Sequence, residues 1–425
     1  MATGTARDTA ARPGVVLAML LAVYIFNWID RQILAILAAP IQADLDLTDG
    51  EMGLLGGISF ALLYSTLAVP LAALADRTSR SWVITVSLVV WSGFTALCGL
   101  AQGFWQIFFA RLGVGVGEAG GVAPSYAVIS DYFPSEKRAR ALSVYALGVP
   151  VGSAAGVLAG GYIAATVDWR IAFFTVGLAG IVLAPLFKAL VRDKPRAVPA
   201  QASPGLADHG LAATARLLAR KPSFWLLSFG GAASSMLGYG IAFWLPSLLQ
   251  RSFGLDLVET SQYFGALLLL GGVAGILAGG WLGDRLGARN KAWYGYVPAI
   301  AFVAATPLFA LGIVAEDTAL SFVLFLLPQA LAYIWLGPVL SAIQHLVAPP
   351  ARATASALFL LINNLIGLGG GIYALGAFSE FLMPIYGNEA LRYSMLYSLV
   401  LYLVAGLLMA LAGPRLRRDW VTEIT

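Results

Sequence analysis

Apolar stretches long enough to cross a bilayer alternate along the chain with short polar intervals. Twelve can be counted, near 15–39, 52–75, 82–102, 105–130, 141–166, 171–191, 223–249, 260–283, 292–314, 319–342, 353–378 and 392–413. A helix of about 20 residues spans a hydrocarbon core of roughly 30 Å, so the pattern predicts twelve membrane-spanning helices. One polar interval is long, from Arg192 to Pro222, and its Pro, Ala and charge content reads as a linker. The expected organisation is an N-terminal six-helix bundle over 1–191, a cytoplasmic linker over 192–222, and a C-terminal six-helix bundle over 223–425. The run from about Val15 lacks a clear cleavage site and reads as an uncleaved first span.

The two halves repeat. Asp76-Arg77-Thr78-Ser79-Arg80 follows the second stretch, and Asp284-Arg285-Leu286-Gly287-Ala288-Arg289 follows the eighth. The aspartates are 208 residues apart, about half the chain, which predicts parallel six-helix repeats related about the membrane normal.

Composition agrees with the pattern. Of the 425 residues, 59% are hydrophobic and 11% charged, against about 25% charged in a soluble domain. Orientation follows from the cations. With the N-terminus inside, the inner segments hold twenty Arg and Lys, and the outer loops hold three, Arg170, Arg251 and Arg392. This asymmetry predicts that both termini are cytoplasmic. The single cysteine, Cys98, excludes an intramolecular disulfide framework. Two histidines, His209 and His345, stand apart in loops, so neither a metal site nor any other cofactor is expected.

Ionisable residues within the apolar stretches carry the chemistry, because charge at bilayer depth is costly and ordinarily faces a cavity or a partner. Arg111 and Glu118 lie seven residues apart in the fourth stretch, near one helix face and roughly 10 Å apart along the axis. Gly113, Gly115 and Gly117 between them leave room for a close neighbour. Dinucleotide binding by these glycines would need a preceding strand, and none is present. Asp30 and Arg31 fall near the middle of the first stretch. The second half offers amides instead, Gln329, Asn363 and Asn364, among aromatics such as Tyr239, Phe243, Trp244, Tyr333, Trp335 and Tyr373. A cavity charged on one wall and apolar with amides on the other suits an amphipathic molecule better than a sugar. Gly148, Gly152, Gly156 and Gly160 recur every fourth residue, which reads first as close helix packing.

These residues resemble the major facilitator superfamily over nearly the whole chain. Asp76-Arg77 and Asp284-Arg285 match its loop between the second and third helices, although Ala72 and Ser79 replace usual glycines in the first copy. Arg111 with its glycines matches the fourth-helix motif, and the glycines from Gly148 resemble the fifth-helix antiporter motif. Asn27-Trp28-Ile29-Asp30-Arg31-Gln32, the run Arg111 to Ala119, Ser130 to Pro134, Arg138 to Ala141 and Asn363-Asn364 are similar to the spinster-like branch. The resemblance implies an all-α membrane protein of twelve helices in two pseudo-symmetric bundles. Spans one and four then line a central cavity, with Arg31–Glu118 or Asp30–Arg111 as the pairing.

It further implies a secondary active transporter, not an enzyme, working by alternating access with proton antiport. The substrate expected is amphipathic and lipid-like, of lysophospholipid or sphingosine-phosphate type; the alternative is a proton-coupled carrier of small organic anions or drugs. A receptor would be expected to carry an added signalling domain, and an embedded enzyme a nucleophile–base pair or metal ligands. Proton coupling is expected at Glu118, Asp30, Arg31 and Arg111. Substrate binding is expected at Arg31, Glu118, Asn27, Tyr239, Trp244, Gln329, Tyr333, Asn363 and Asn364, and gating at Asp76, Arg77, Asp284 and Arg285. The partners expected are substrate, protons and lipid, with no nucleic acid, for a monomer in the bacterial plasma membrane.

Overall fold

The computed structural model describes residues 12–194, 211–348 and 351–421, so most of the expected linker and the side chain of Asp284 lie outside the described residues. In the first half, α1 is Pro13–Ile36, α2 is Asp49–Arg77 and α3 is Arg80–Cys98. Next, α4 is in two pieces, Phe104–Glu118 and Val122–Tyr132, followed by α5 at Arg140–Thr166 and α6 at Trp169–Leu190. In the second, α7 is Pro222–Ser252, α8 is Leu257–Arg289, α9 is Trp293–Val314 and α10 is Thr318–Gln344. After them, α11 comprises Arg352–Ile362, a π-helical stretch Asn363–Gly370 and Gly371–Tyr386, and α12 comprises Ala390–Ser398 and Val400–Asp419. A short helix, Leu211–Ala219, leads into α7.

Among the described residues, ten helical runs are long and apolar enough to cross a membrane on their own. The count falls short of twelve for two local reasons: α11 and α12 form one run, Thr354–Asp419, and α4 is broken. The break follows from Gly120, Gly121 and Pro124, which favour neither helix continuity nor a full set of amide donors. Gly120 and Gly121 donate to Gly117 and Glu118 carbonyls at 3.2 and 3.0 Å, a tightened turn that ends the first piece. The expectation of one continuous fourth span over 105–130 is therefore corrected to two half-helices.

An even number of spans puts Pro13 and Asp419 on one face, the terminal face. The opposite, loop face carries the α1–α2, α7–α8 and α9–α10 connections. The repeat reaches the helix caps: Thr48 and Glu51 form a capping box at the start of α2, and Asp256 and Glu259 form another at the start of α8. Both pairs are offset by 208 residues, as Asp76 and Asp284 are.

The glycines set how closely the helices approach. A side chain on Gly152 would stand 2.5 Å from the Ile25 carbonyl and 2.8 Å from Trp28 Cβ; Gly148, Gly156 and Gly160 meet Tyr24, Ile29 and Ile33 in the same way. The ladder on α5 is thus the bed for α1. On α4, Gly113 and Gly117 fit against Phe94 and Trp91 of α3, and Gly115 against Phe60 and Tyr64 of α2. These glycines seat neighbouring helices around the buried charges.

Candidate functional site

Four charges converge inside the first half. Arg31 of α1 donates from Nε to Glu118 Oε2 of α4 at 2.8 Å, with 12% of the Arg31 side chain and none of Glu118 exposed. The guanidinium sits among aromatic rings, 4.6 Å from Tyr64, 5.0 Å from Phe60 and 5.1 Å from Trp28. Arg111 lies 5.2 Å from the same Phe60 ring. Of the two pairings the sequence left open, Arg31–Glu118 is the one formed. Asp30 stays within electrostatic reach of Glu118, Arg111 and Arg31.

The cluster is under-satisfied. Asp30 Oδ1, Arg111 Nε, Glu118 Oε1, Thr95 Oγ1 and both amide atoms of Asn27 are buried without a hydrogen-bond partner among the described residues. Such a group costs about 1–3 kcal/mol when buried unpaired. Asn27 stands beside Glu118 and Thr95 beside Asp30, so alternative partners surround the ion pair.

The smaller of two adjoining cavities meets this cluster. The smaller, about 40 Å³, is bordered by Arg31, Arg111, Phe60, Gly56, Phe243 and Ile372. The larger, about 240 Å³, extends toward the terminal-face ends of α4, α5 and α10, where Tyr126, Ala146, Val149 and Leu336 line it. Trp28, Gln32, Tyr239 and Ala242 border both. The larger wall carries tyrosines 24, 126, 239, 333 and 402, with Gln32, Gln329, Ser234 and Ser235 and, among the described residues, no charged side chain. It is an aromatic chamber with a cationic inner end.

Of the residues expected to bind substrate, Tyr239, Gln329 and Tyr333 line the chamber. Trp244 does not: it is fully buried, its indole donates to the Ile372 carbonyl at 2.9 Å, and it borders neither cavity. Its ring serves the α7–α11 contact, because α7 is buried nearly all round. Asn363 lies behind the wall and accepts from Ser235 at 2.9 Å, so it supports a lining residue, and Asn364 borders neither cavity. At the terminal face, Arg80 bridges Asp76, at 2.8 Å, and Asp131 of α4. Arg77 is exposed, and Arg285 lies over the Trp281 ring at 5.2 Å.

Sequence reasoning missed two features. Gln32 follows Arg31 directly, and its place in the Asn27–Gln32 motif was the available signal. The other is a seal at the loop face. Asp49 accepts from Arg251 Nη1 and Nη2 at 3.0 and 2.8 Å, from Ser379 at 2.7 Å and from Gln42 at 2.9 Å. Arg251 also donates to Gln42 at 2.8 Å, and the Gly50 amide donates to Glu380 at 3.1 Å. Asp49, Gly50 and Gln42 belong to the first half; Arg251, Ser379 and Glu380 belong to the second. The backbones close in alongside, since a side chain on Gly376 would stand 2.3 Å from the Asp49 carbonyl.

Comparison with known proteins accords with this architecture. The Major Facilitator Superfamily profile matches residues 20–371. The chain is 34% identical over 398 residues to an MFS-type efflux pump of Mycolicibacterium smegmatis, covering 93% of this chain and 92% of that protein. It is 27% identical over 382 residues to protein spinster homolog 1 of Xenopus tropicalis, covering 86% and 72%. A bacterial homolog of the human lysosomal transporter spinster, solved in an inward-facing and unoccupied conformation, superposes with a TM-score of 0.87 at 28% identity, covering 96% of this chain and 98% of that one. Twelve spans, the paired loop motifs, a buried charge cluster beside a central cavity and these likenesses agree: the chain belongs to the Major Facilitator Superfamily, in its spinster-like branch, and is a membrane transporter, not an enzyme.

Proposed function

We propose that the protein exports an amphipathic anion in exchange for protons by alternating access. The observation that carries this reading is the Arg31–Glu118 pair at the cationic end of a neutral, aromatic chamber. The cation asymmetry makes the terminal face cytoplasmic, so the sealed loop face makes this the inward-facing state. The division over 192–222 then separates a half that carries the charges from a half that supplies most of the chamber wall.

The cycle follows from which partner Arg31 holds. In the inward-facing state of this cycle Glu118 is ionised, paired with Arg31, and has released its proton inward. A substrate anion docks beside the pair, on the remaining donors of Arg31 and on Arg111 Nε. When the loop-face seal opens and the other face closes, outside protons reach Glu118 and neutralise it. Arg31, released by Glu118, is captured by the Asp30 carboxylate, which displaces the anion. Asp30 is the second proton carrier, and the Asn27 amide beside Glu118 tunes the pair. Asp76, Arg77, Asp284 and Arg285 gate the terminal face, the first through the Asp76–Arg80–Asp131 bridge.

A lysophospholipid or sphingosine-phosphate fits an anionic head at Arg31 and a body in the chamber. A second reading, a functionalised organic anion or drug, is favoured by five tyrosines and four amide or hydroxyl side chains where an acyl chain would want aliphatics. The M. smegmatis relative is named an efflux pump, in line with that reading. The protein works as a monomer in a bacterial plasma membrane.

Counterflow in proteoliposomes, with labelled lysophospholipid and an anionic dye tested separately under an imposed pH gradient, decides among these. Glu118→Gln should lose gradient-driven transport and keep exchange, because the amide preserves shape and cannot titrate. Full gradient dependence in that variant would overturn the coupling assignment.

A further inference from the structure

A second surface lies away from the cavity, where the helix Leu211–Ala219 enters α7 at the terminal face. Thr214 and Leu218 are its buried face, and the helix packs on the start of α11. At 100° per residue Arg216 falls on the opposite side, and Arg220 follows in the turn just past the helix end, its amide donating to the Leu217 carbonyl at 3.2 Å. Both are exposed, and neither makes an ion pair among the described residues. Two guanidiniums at this spacing repel unless an anion lies between them.

Beside them runs an apolar strip. Leu217 is 45% exposed, Trp225 38% and Phe229 45%. The Trp225 indole donates to the Ala219 carbonyl at 3.0 Å, which fixes the ring at the end of the helix. It stacks on Phe229 at 5.7 Å, one turn deeper along α7. Paired cations therefore stand at headgroup level, with an aromatic track leading from them into the hydrocarbon.

We propose that this surface binds an anionic phospholipid of the surrounding bilayer, its phosphate between Arg216 and Arg220 and an acyl chain along Trp225 and Phe229. Two exposed cations with no carboxylate paired to them among the described residues select a net anion over a zwitterion. The helix bridges the entry of α7 and the entry of α11, so a bound lipid stiffens the strap joining these two spans. The site is independent of the transport substrate.

The test uses the full chain in phosphatidylcholine nanodiscs containing increasing phosphatidylglycerol, with lipid retention read by native mass spectrometry. Retention of phosphatidylglycerol over phosphatidylcholine is expected. The Arg216→Gln/Arg220→Gln variant should bind it about 30-fold more weakly, the combined effect of two basic side chains near a membrane surface. Trp225→Ala should weaken it less, and inorganic phosphate should not displace it. The thermal midpoint in pure phosphatidylcholine confirms that each variant is folded, and single Arg216→Gln replaces the double variant if that one unfolds. Equal phosphatidylglycerol retention by wild type and folded variants, equal retention of both lipids, or displacement by inorganic phosphate would each overturn the proposal.

Discussion

Replacing Asp49 with Asn tests what holds the loop face shut. The Asp49 carboxylate is 4% exposed and accepts four hydrogen bonds, two from Arg251 and one from Ser379 across the seam, and one from Gln42 on its own side. Asparagine removes the charge and turns one acceptor into a donor facing a guanidinium. Two charge-assisted bonds are lost, each worth about 1.5–3 kcal/mol net. In the opened state both partners are solvated, and Arg251 is already 26% exposed in the closed one, which discounts the gain. A shift on the order of 3 kcal/mol between closed and open loop face remains, roughly a 100-fold change in their ratio. Spin labels at Ala43→Cys and Glu316→Cys, in a Cys98→Ser background, place one probe on each half at this face. Asp49→Asn should enlarge the long-distance population, and Ser379→Ala should do so by a smaller step of about 1 kcal/mol. An Asp49→Asn distance distribution identical to wild type would show that helix packing alone closes the seam.

Two further outcomes concern stability. Gly152→Ala puts a methyl 2.5 Å from the Ile25 carbonyl and should cost about 1–3 kcal/mol as α1 lifts from α5. Gly280→Ala, with nothing within 4 Å, should not lower the melting midpoint; an equal loss in both would refute the packing account. Burial alone would raise Asp193, but the Ser79 hydroxyl, the Ser81 amide and hydroxyl, and the Lys188 charge together hold its carboxyl below the usual range. Its stabilisation is present above the unfolded carboxylate value and lost as pH falls through the lower folded value. Asp193→Asn should thus lower the midpoint at pH 7, with the gap closing below about pH 4; a gap that persists in acid would exclude the carboxylate as its source.

What was legible in the sequence was whatever a membrane makes expensive. Asp30, Arg31, Arg111 and Glu118 stood out because charge at depth demands a reason, and the paired aspartates 208 residues apart announced the repeat. Aromatic residues were less informative, since Tyr239 and Trp244 look alike in sequence while one faces the chamber and the other a neighbouring helix. Asp49 resembled any solvated acid beside a span, and its partner Arg251 lies 202 residues away. The break in α4 had local signals in Gly120, Gly121 and Pro124, but a hydropathy window averages across them.

That break has a mechanical consequence. Glu118 is the last residue of the first half-helix, and the second, Val122–Tyr132, is 11 residues long, or about 16 Å. With the turn as fulcrum, a pivot of about 10° would carry its far end roughly 3 Å over that length. The far end holds Asp131, clasped by Arg80, and the shaft carries Tyr126 on the chamber wall. In such a pivot a small angular adjustment at the carboxylate would be magnified into a displacement that parts the clasp, with α4 working as a crank where an unbroken helix would be a strut.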